Sequence, residues 1–523
     1  MNGYPSKRTI ALCLSLVCCA VVALTLDDYG ITWDEGSYVI AGRTYLQWLD
    51  SPSFETIDRF WSLNHEHPPL VKVMSAATGR LLGSIPFFAG SQIPAFRSAI
   101  LIFVFVLTYA LFSFASELYG RGIGILVALS FFFLPRVFFH SHLAALDYPL
   151  TALWFLVVYL YWKGMKKGWR WIVSTSVLLG LALLIKLTAL FIYIPLVLCW
   201  IMASHERFKQ QTEVGKGSWL KGLVPQLWRL VPLFFIPPLV FVGLWPWLWE
   251  NTLERLVQYV AFHADHFTIP VFYLGREYVV APWHYPLVFL SATVPLIVLV
   301  PLLVGIYKSA SFGNRKANTF ILFNAFFPVL LLSLPGVPKY DGVRVFLPSF
   351  PFLCMVSGLG LKYLLQRFRG GGLLKPAAGL YLFLFVLSVY VSVIRTHPYQ
   401  SSYFNEVMGG TVGASMKGVE HEYWGSSYLG TLGWLNRNSS KSFWLAMADI
   451  DPKARFPFDL YREAGLLDGR VRFTSRDKAD YVILLIRQGF FDREMWNWFL
   501  NETPVFSVRL SDTLLVGIYR NRK

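Results

Sequence analysis

Three acidic side chains in this sequence stand where a polar segment meets an apolar run, which is an expensive place for a charge. Asp34 and Glu35 follow the first apolar run, and Asp147 comes just before another. A carboxylate near a bilayer is costly unless it is solvated or used, because a low dielectric penalises charge. Two separated acids at one membrane depth suit an acid/base or cation-binding site. Alternatively, the three acids cap helices, since Asp and Glu favour helix N-termini.

The segment His65-Glu66-His67-Pro68-Pro69 is the second group that could do chemistry. It places two imidazoles around a carboxylate, and both kinds of group are metal ligands. In an extended backbone, His65 and His67 share one side and Glu66 faces the other, so the three would not automatically bind one ion. The alternative is a capping turn, because the proline pair introduces a helix.

A second histidine-rich segment spans residues 263–284 and contains His266, Trp283 and His284. Its imidazoles could ligate a metal through a neutral ring nitrogen. They could equally be interfacial residues beside the aromatic belt that forms where a protein meets the membrane surface. The pattern alone leaves both interpretations open.

Basic residues also occur between two apolar runs on the predicted outer side. The positive-inside rule disfavours them there, so their presence calls for an explanation. Lys339 and Arg344 are such cations, and a phosphate held by charge-assisted hydrogen bonds would supply the reason. The alternative is local pairing with Asp341. Lys186, near the outer end of another run, could join the same basic pocket or simply extend its ammonium group to water.

The elements that must position these residues are membrane helices. Of the 523 residues, 55% are hydrophobic and only 15% are charged, against about 25% charged residues in soluble domains. This balance excludes an ordinary soluble globule, and apolar runs of about 18–22 residues predict a polytopic α-helical membrane protein. We expect eleven transmembrane helices, at residues 9–26, 95–118, 121–139, 149–163, 171–186, 188–204, 230–249, 286–307, 317–334, 343–365 and 374–394.

The formal net charge of +16 is explained by topology. Basic clusters at 163–170, 209–229, 308–316 and 367–375 fall on alternate ends of the predicted helices, so all lie in the cytoplasm if the N-terminus does. Nucleic-acid binding is therefore a poor explanation of the charge. The sequence predicts a multi-pass protein of the cytoplasmic (inner) membrane whose C-terminal domain is periplasmic or otherwise extracytoplasmic.

Two domains are predicted, a transmembrane domain over residues 1–396 and an extracytoplasmic soluble α/β domain over residues 397–523. The transmembrane domain should have two long outside loops, at about 27–94 and 250–285. Amphipathic helices near 37–49 and 69–83 would lie along the interface in the first loop.

Within the C-terminal domain, alternation and apolar runs predict a strand at 481–486, a helix at 491–500 and strands within 504–519. All five cysteines lie in apolar runs. We therefore expect neither structural disulfides nor a thiolate metal site.

Taken in order, these motifs resemble those of the C-type (GT-C) glycosyltransferases that use a polyprenyl-phosphate sugar. The nearest groups are the protein O-mannosyltransferases of glycosyltransferase family 39 and the bacterial lipid A aminoarabinose transferases. The residues that carry the resemblance are Asp34-Glu35, Glu66-His67-Pro68-Pro69, Asp147, Gly180 to Lys186, His266-Phe267, Trp283-His284-Tyr285, and Lys339 with Arg344 to Pro348.

The resemblance implies an inverting transferase whose donor is a sugar on a polyprenyl phosphate. By position, Asp34 would be the general base or would orient the acceptor hydroxyl, with Glu35 and Asp147 as the other acids of the catalytic group. Glu66 and His266 would hold a divalent metal ion such as Mg, Mn or Zn. The phosphate or donor site would be formed by Lys339, Arg344, Lys186 and His67, and the acceptor-side candidates are His65, Trp283 and His284.

Some features depart from these groups. His67 stands where the aminoarabinose transferases carry lysine, which puts the phosphate contact there in doubt. The 250–285 loop is too short for the β-trefoil domain of eukaryotic protein mannosyltransferases, and the Trp-Trp-Asp-Tyr-Gly motif of oligosaccharyltransferases is missing from the sequence.

The function expected from the sequence is transfer of a sugar, on the outer side of the membrane, to a protein, lipid A or another envelope glycan or lipid. No nucleic-acid partner is expected. An ion-coupled transporter is the non-enzyme alternative, since acids in helical bundles also mark ion pathways. Transporter sites usually lie near the membrane midplane, often within inverted repeats. A non-catalytic envelope assembly protein with the same fold is a third possibility.

Overall fold

The structure is a computed structural model that describes residues 5–85, 92–213, 227–265, 268–368, 372–439, 443–449 and 452–521, with side chains excepted at 207–213. Helices dominate it. The helices before residue 400 are α1 Lys7–Thr25, α2 Trp33–Asp50, α3 Ile57–Trp61, α4 Leu70–Leu82, α5 Gln92–Arg97, α6 Ile100–Tyr119, α7 Arg121–Phe132, α8 Pro135–His140, α9 Asp147–Lys167, α10 Trp169–Leu183, α11 Tyr193–Glu213, α12 Val231–Gly243, α13 Thr252–Ala264, α14 Tyr285–Thr293, α15 Leu296–Lys308, α16 Arg315–Leu332, α17 Phe350–Arg367 and α18 Leu374–Val389. The later helices are α19 Gly410–Met416, α20 Leu432–Asn438, α21 Phe456–Glu463 and α22 Arg493–Asn501.

The predicted polytopic helical architecture is confirmed, because a helix or a pair of helices occupies each predicted span. Among the described residues, five helical stretches are long and apolar enough to cross a membrane, and α7, α10, α12 and α15 are shorter apolar helices. The five long stretches are Lys7–Asp28, Ile100–Tyr119, Leu187–Glu206, Arg344–Arg367 and Leu374–Ile394.

Two predicted spans, 121–139 and 286–307, are each broken into two helices. Leu134 and Val294 have extended backbones at the breaks, and each precedes a proline. Proline disfavours the helical conformation in the residue before it and has no N–H to donate. Apolar composition alone therefore overestimated the continuity of these helices.

The backbones of α15 and α17 approach each other closely. A Cβ atom on Gly360 would lie 1.9 Å from the Pro301 carbonyl oxygen, and one on Gly305 would lie 1.9 Å from that of Val356. Such contact between helices is characteristic of small residues in membrane bundles. It packs α17, the helix that follows the Arg344 segment, against α15 around Val356 and Gly360.

The helices predicted near residues 37–49 and 69–83 are confirmed as α2 and α4. However, α2 begins four residues before the predicted 37, at Trp33. Thr32 and Glu35 form a capping box, in which each side chain bonds the backbone N–H of the other residue. Asp34 and Glu35 therefore lie in the first helical turn rather than in a loop.

In the described ranges, seven strands form two sheets. A hairpin joins β1 Val271–Tyr273 to β2 Arg276–Tyr278. The other strands are β3 Phe443–Met447, β4 Val471–Phe473, β5 Tyr481–Leu485, β6 Phe506–Leu510 and β7 Thr513–Arg520. They form one sheet of order β4-β3-β5-β7-β6, in which β3 is parallel to β4 and β5, whereas β7 is antiparallel to β5 and β6.

The strands and helix predicted after residue 480 are confirmed as β5, α22, β6 and β7. The sequence pattern did not predict β3, β4 or the helices α19, α20 and α21. The strand β4, for example, has only three residues and shows no usable periodicity. The hairpin connects the two parts of the molecule: Gly275 N–H donates to the Gly418 carbonyl at 3.0 Å, and Glu420 N–H donates to that of Phe272 at 3.2 Å.

Candidate active site

Acidic and basic side chains from four different helix ends meet at one end of the bundle. Asp34 follows α1 in the first turn of α2, and Asp147 is the first residue of α9. Lys186 comes just after α10, and Arg344 lies in the short 3₁₀ helix that leads into α17. Because consecutive membrane helices alternate in direction, these positions share one end of the bundle.

Arg344 is the centre of this cluster. Its Nη1 lies 3.0 Å from Asp34 Oδ2 and 3.0 Å from Asp341 Oδ2, while its Nε lies 3.2 Å from Asp147 Oδ2. The other oxygen of Asp147 accepts a hydrogen bond from Lys186 Nζ at 2.8 Å. The structure thus brings together four residues that the sequence analysis selected separately: Asp34, Asp147, Lys186 and Arg344.

The cluster is balanced in charge. Asp341 also pairs with Arg487, whose Nη2 lies 2.9 Å from Asp341 Oδ1. The cluster therefore has three carboxylates and three cations, which are Asp34, Asp147 and Asp341 with Lys186, Arg344 and Arg487. Asp147 and Asp341 each contact two cations and are 5% and 4% exposed. Asp34 contacts one cation and is 19% exposed. Asp34 is therefore the most accessible and least neutralised acid of the cluster.

One oxygen of Asp34 receives both of its contacts. Trp424 donates its indole N–H to Oδ2 at 3.2 Å, and Oδ2 is also the oxygen beside Arg344. No hydrogen bond from the described part of the chain reaches Oδ1. This oxygen is consequently the one that a substrate hydroxyl can approach.

Glu35 has a different environment, although it adjoins Asp34 in sequence. Arg97 donates to both of its oxygens at 2.8 Å, and the backbone N–H of Ala144 donates to Oε1 at 2.9 Å. Its side chain is only 3% exposed. The position of Glu35 therefore does not support the prediction that it shares the chemistry of Asp34. Both of its carboxylate oxygens already accept hydrogen bonds from within the protein.

The segment around Glu66 folds over the buried ammonium group of Lys72. Lys72 Nζ donates to the Asn64 and His67 carbonyl oxygens at 2.7 and 2.6 Å. Burial lowers the pKa of this ammonium to about 7. Glu66 accepts a hydrogen bond from the Asn64 amide at 2.7 Å, and His65 stacks on Trp247 with ring centroids 4.5 Å apart.

Tyr38 lies between this segment and the Arg344 cluster. It comes one helical turn after Asp34, and its ring centroid is 5.8 Å from that of His67. Burial, followed by the negative charge of Asp34, raises the pKa of the Tyr38 hydroxyl well above its usual value. Burial likewise lowers the pKa of His67 well below its usual value. Both groups are therefore neutral near pH 7.

The resemblance implies a metal site formed by Glu66 and His266. Glu66 is described in the structure, whereas His266 lies outside the described residues. Among the residues that are described, no three His, Cys, Asp or Glu side chains are grouped so as to hold a metal ion. Glu66 alone is not a site, and His266 cannot be placed beside it. The metal requirement stays a prediction.

Three further predicted residues have no contact with the Arg344 cluster in the described ranges. Lys339 donates to the carbonyl oxygens of Leu334 and Val337 at 3.0 and 2.8 Å, just beyond the end of α16. His284 pairs with the Tyr273 hydroxyl at 3.0 Å. Trp283 is 61% exposed.

Sequence reasoning missed Trp424, Arg487, Tyr38 and His140 as parts of the site. His140 is buried with its ring 5.4 Å from that of Trp424, and neither ring nitrogen has a hydrogen-bond partner in the described structure. The run of polar and aromatic residues from His421 to Tyr428 was a usable signal for Trp424. Arg487 follows an ordinary strand and carries no local signal.

Glu420 predicts a pH dependence of stability. Its Oε1 accepts from the Gly489 N–H at 2.9 Å, and burial raises its pKa from 4.5 to about 8. Because the folded state holds this proton more tightly, its contribution to stability is complete below pH 4.5 and is lost as the pH rises through about 8. Glu420→Gln should therefore raise the melting temperature at pH 8.5 but change it little at pH 4.5.

Thermal unfolding in detergent at the two pH values checks this result. Glu406→Gln, at an exposed glutamate of the same region, is the matched control and should shift neither transition. An equal shift of the Glu420→Gln melting temperature at both pH values would contradict the prediction.

Comparison with known proteins assigns the fold to a class. The chain has the fold of the GT-C membrane proteins, as the sequence resemblance predicted. Two crystal structures of ArnT from Cupriavidus metallidurans match over 98% of both chains. The apo form has 15% identity and a TM-score of 0.54, and the form bound to undecaprenyl phosphate has 14% identity and a TM-score of 0.55.

A family model gives a narrower match. Residues 66–230 match the family described as dolichyl-phosphate-mannose-protein mannosyltransferase. No curated protein sequence matches the chain significantly. The family match and the fold agree with the resemblance found in the sequence.

Proposed function

We propose that this protein transfers a sugar from a polyprenyl-phosphate carrier to an acceptor hydroxyl at the outer face of the cytoplasmic membrane. The observation that carries the proposal is the Asp34 carboxylate. One of its oxygens is held by Arg344 and Trp424, and the other is left for the acceptor. The positive-inside rule supports the outer location, because the described basic loops at 163–170 and 308–316 lie at the opposite end of the bundle.

In the proposed reaction the acceptor oxygen attacks the anomeric carbon while the bond from that carbon to the phosphate oxygen breaks. The proton of the acceptor hydroxyl passes to Asp34, which acts as general base. The phosphate leaves with the electron pair, so attack from the opposite face inverts the configuration of the sugar. This is a single displacement in which atoms and charge balance.

Arg344 and Lys186 are the cations that we assign to the leaving phosphate. Both contact Asp147 in the present structure, and phosphate oxygens can replace some of those contacts. Preorganised cations stabilise the charge that develops on a leaving group. The ArnT structure with undecaprenyl phosphate supports a carrier of this class. Lys339 is less suited, because its ammonium group already binds two carbonyl oxygens.

The test is release of free polyprenyl phosphate by the purified protein. A panel of polyprenyl-phosphate sugars is supplied with an envelope extract containing proteins, lipid A and other glycans as acceptors. We expect one donor to give release that depends on the extract, and omission of the extract separates transfer from hydrolysis. No release with any donor, together with substrate-driven ion flux in proteoliposomes, would overturn the proposal in favour of a transporter.

A further inference from the structure

Trp424 reaches the cluster from a part of the chain far from the bundle in sequence. Its indole N–H donates to Asp34 Oδ2 at 3.2 Å. The face of the same ring lies 4.4 Å from the guanidinium carbon of Arg344. An indole has one donor and no acceptor, so the contact can hold a carboxylate but cannot take its proton. The ring face attracts a cation.

The backbone around Trp424 is held by several contacts that do not involve substrate. Glu422 Oε1 accepts from three consecutive N–H groups, those of Tyr423, Trp424 and Gly425, at 2.9, 3.0 and 3.3 Å. The Trp424 carbonyl accepts from the Trp33 N–H at 3.1 Å. The turn is therefore fastened to the start of α2, the helix that carries Asp34.

Gly425 is required for this turn. Its φ is +77°, a backbone conformation that residues with a side chain rarely adopt. A Cβ atom there would also lie 2.5 Å from the Trp33 indole nitrogen. Only glycine lets the chain turn closely enough to bring the Trp424 ring beside Asp34 and Arg344.

The geometry points to Trp424 as a positioning residue, supplied by the C-terminal region, that orients Asp34 and Arg344 for the transfer reaction. Glu422 in turn positions Trp424. By donating to Oδ2, the indole directs Oδ1 towards the acceptor. This inference rests on the proposed function, and it gives the C-terminal region a part in the chemistry in addition to any part in acceptor binding.

The experiment measures kcat and KM separately for Trp424→Phe, which keeps an aromatic face for Arg344 but removes the N–H donor. A hydrogen bond to a charged group contributes about 1.5–3 kcal/mol, so kcat should fall about 10–150-fold. The KM for the donor should stay within about twofold of wild type. Trp434→Phe is the matched control, because Trp434 packs against Tyr481 and Phe506 away from the site, and its kcat should be unchanged.

Two further variants keep the test decisive if Trp424→Phe folds poorly. Replacing Trp424 by 3-benzothienylalanine removes only the N–H and should lower kcat as the phenylalanine does. Glu422→Gln keeps an oxygen acceptor and should retain activity, whereas Glu422→Ala should lower kcat. Wild-type transfer with unchanged kcat in the benzothienylalanine protein would overturn this inference alone. Absence of transfer by wild type would instead overturn the proposed function.

Discussion

Asp34→Asn is expected to lower kcat by about a thousandfold, within the range of about 10²–10⁴ typical of a general base. Asparagine retains an oxygen for Trp424 and Arg344 but cannot accept the proton of the acceptor hydroxyl. Removing one of three carboxylates from a balanced cluster leaves a positive charge, so binding of an anionic donor should not weaken. The measurement is the steady-state rate of polyprenyl-phosphate release, with kcat and the donor KM resolved.

Asp27→Asn provides the matched control, because Asp27 is an exposed acid at the same end of the bundle. Its kcat should equal that of wild type. If Asp34→Asn keeps more than about a tenth of the wild-type kcat, the general-base role of Asp34 is wrong. A raised donor KM with unchanged kcat would instead assign Asp34 to donor binding.

Arg97→Met is the prediction with the largest expected effect on stability. Arg97 is 1% exposed and donates to Glu35 and to the carbonyl oxygens of Leu26, Tyr29 and Gly30. Methionine fills similar volume but leaves the Glu35 carboxylate buried without its cation. Breaking a buried ion pair in this way costs about 3–5 kcal/mol. The free energy of unfolding in detergent should fall by that amount.

The double variant Arg97→Met/Glu35→Gln should recover part of the loss, because the unpaired buried charge is then gone. Arg80→Met is the control: Arg80 pairs with Asp50, and both side chains are about half exposed. Such a solvent-exposed pair contributes little to stability, because water screens it. If Arg97→Met and Arg80→Met lower the free energy of unfolding equally, the buried pair contributes no more to stability than the exposed one, which would contradict the prediction.

The sequence was sufficient to predict the membrane helices and four members of the charged cluster. Asp34, Asp147, Lys186 and Arg344 all stand at ends of apolar runs, and alternating helix direction then places them together. Their roles in catalysis remain predictions. The sequence could not show that Asp34 and Glu35 have different partners. Adjacent residues of a helix point about 100° apart, so the two side chains face different neighbours. Asp34 contacts Arg344 and Glu35 contacts Arg97, and no local pattern reveals this assignment.

The run from His421 to Tyr428 marked the region of Trp424, but the contacts that Trp424 and Arg487 make with the cluster could not be predicted from the sequence, for a different reason. Each makes its contact with the site across a long separation, 390 residues for Trp424 to Asp34 and 146 for Arg487 to Asp341. Local propensity carries no information about such pairs. The prolines that divide two apolar runs were visible in the sequence, by contrast, and could have been used to predict the helix breaks.

The 390-residue separation between Asp34 and Trp424 also bears on biosynthesis. While the chain emerges from the ribosome, most of the membrane helices are made before Trp424 and Arg487 are added to the chain. During that interval Asp341 has no Arg487 and Asp34 has no indole donor. On the proposed role of Trp424, a chain that ends before this residue should therefore transfer the sugar more slowly than the full-length protein.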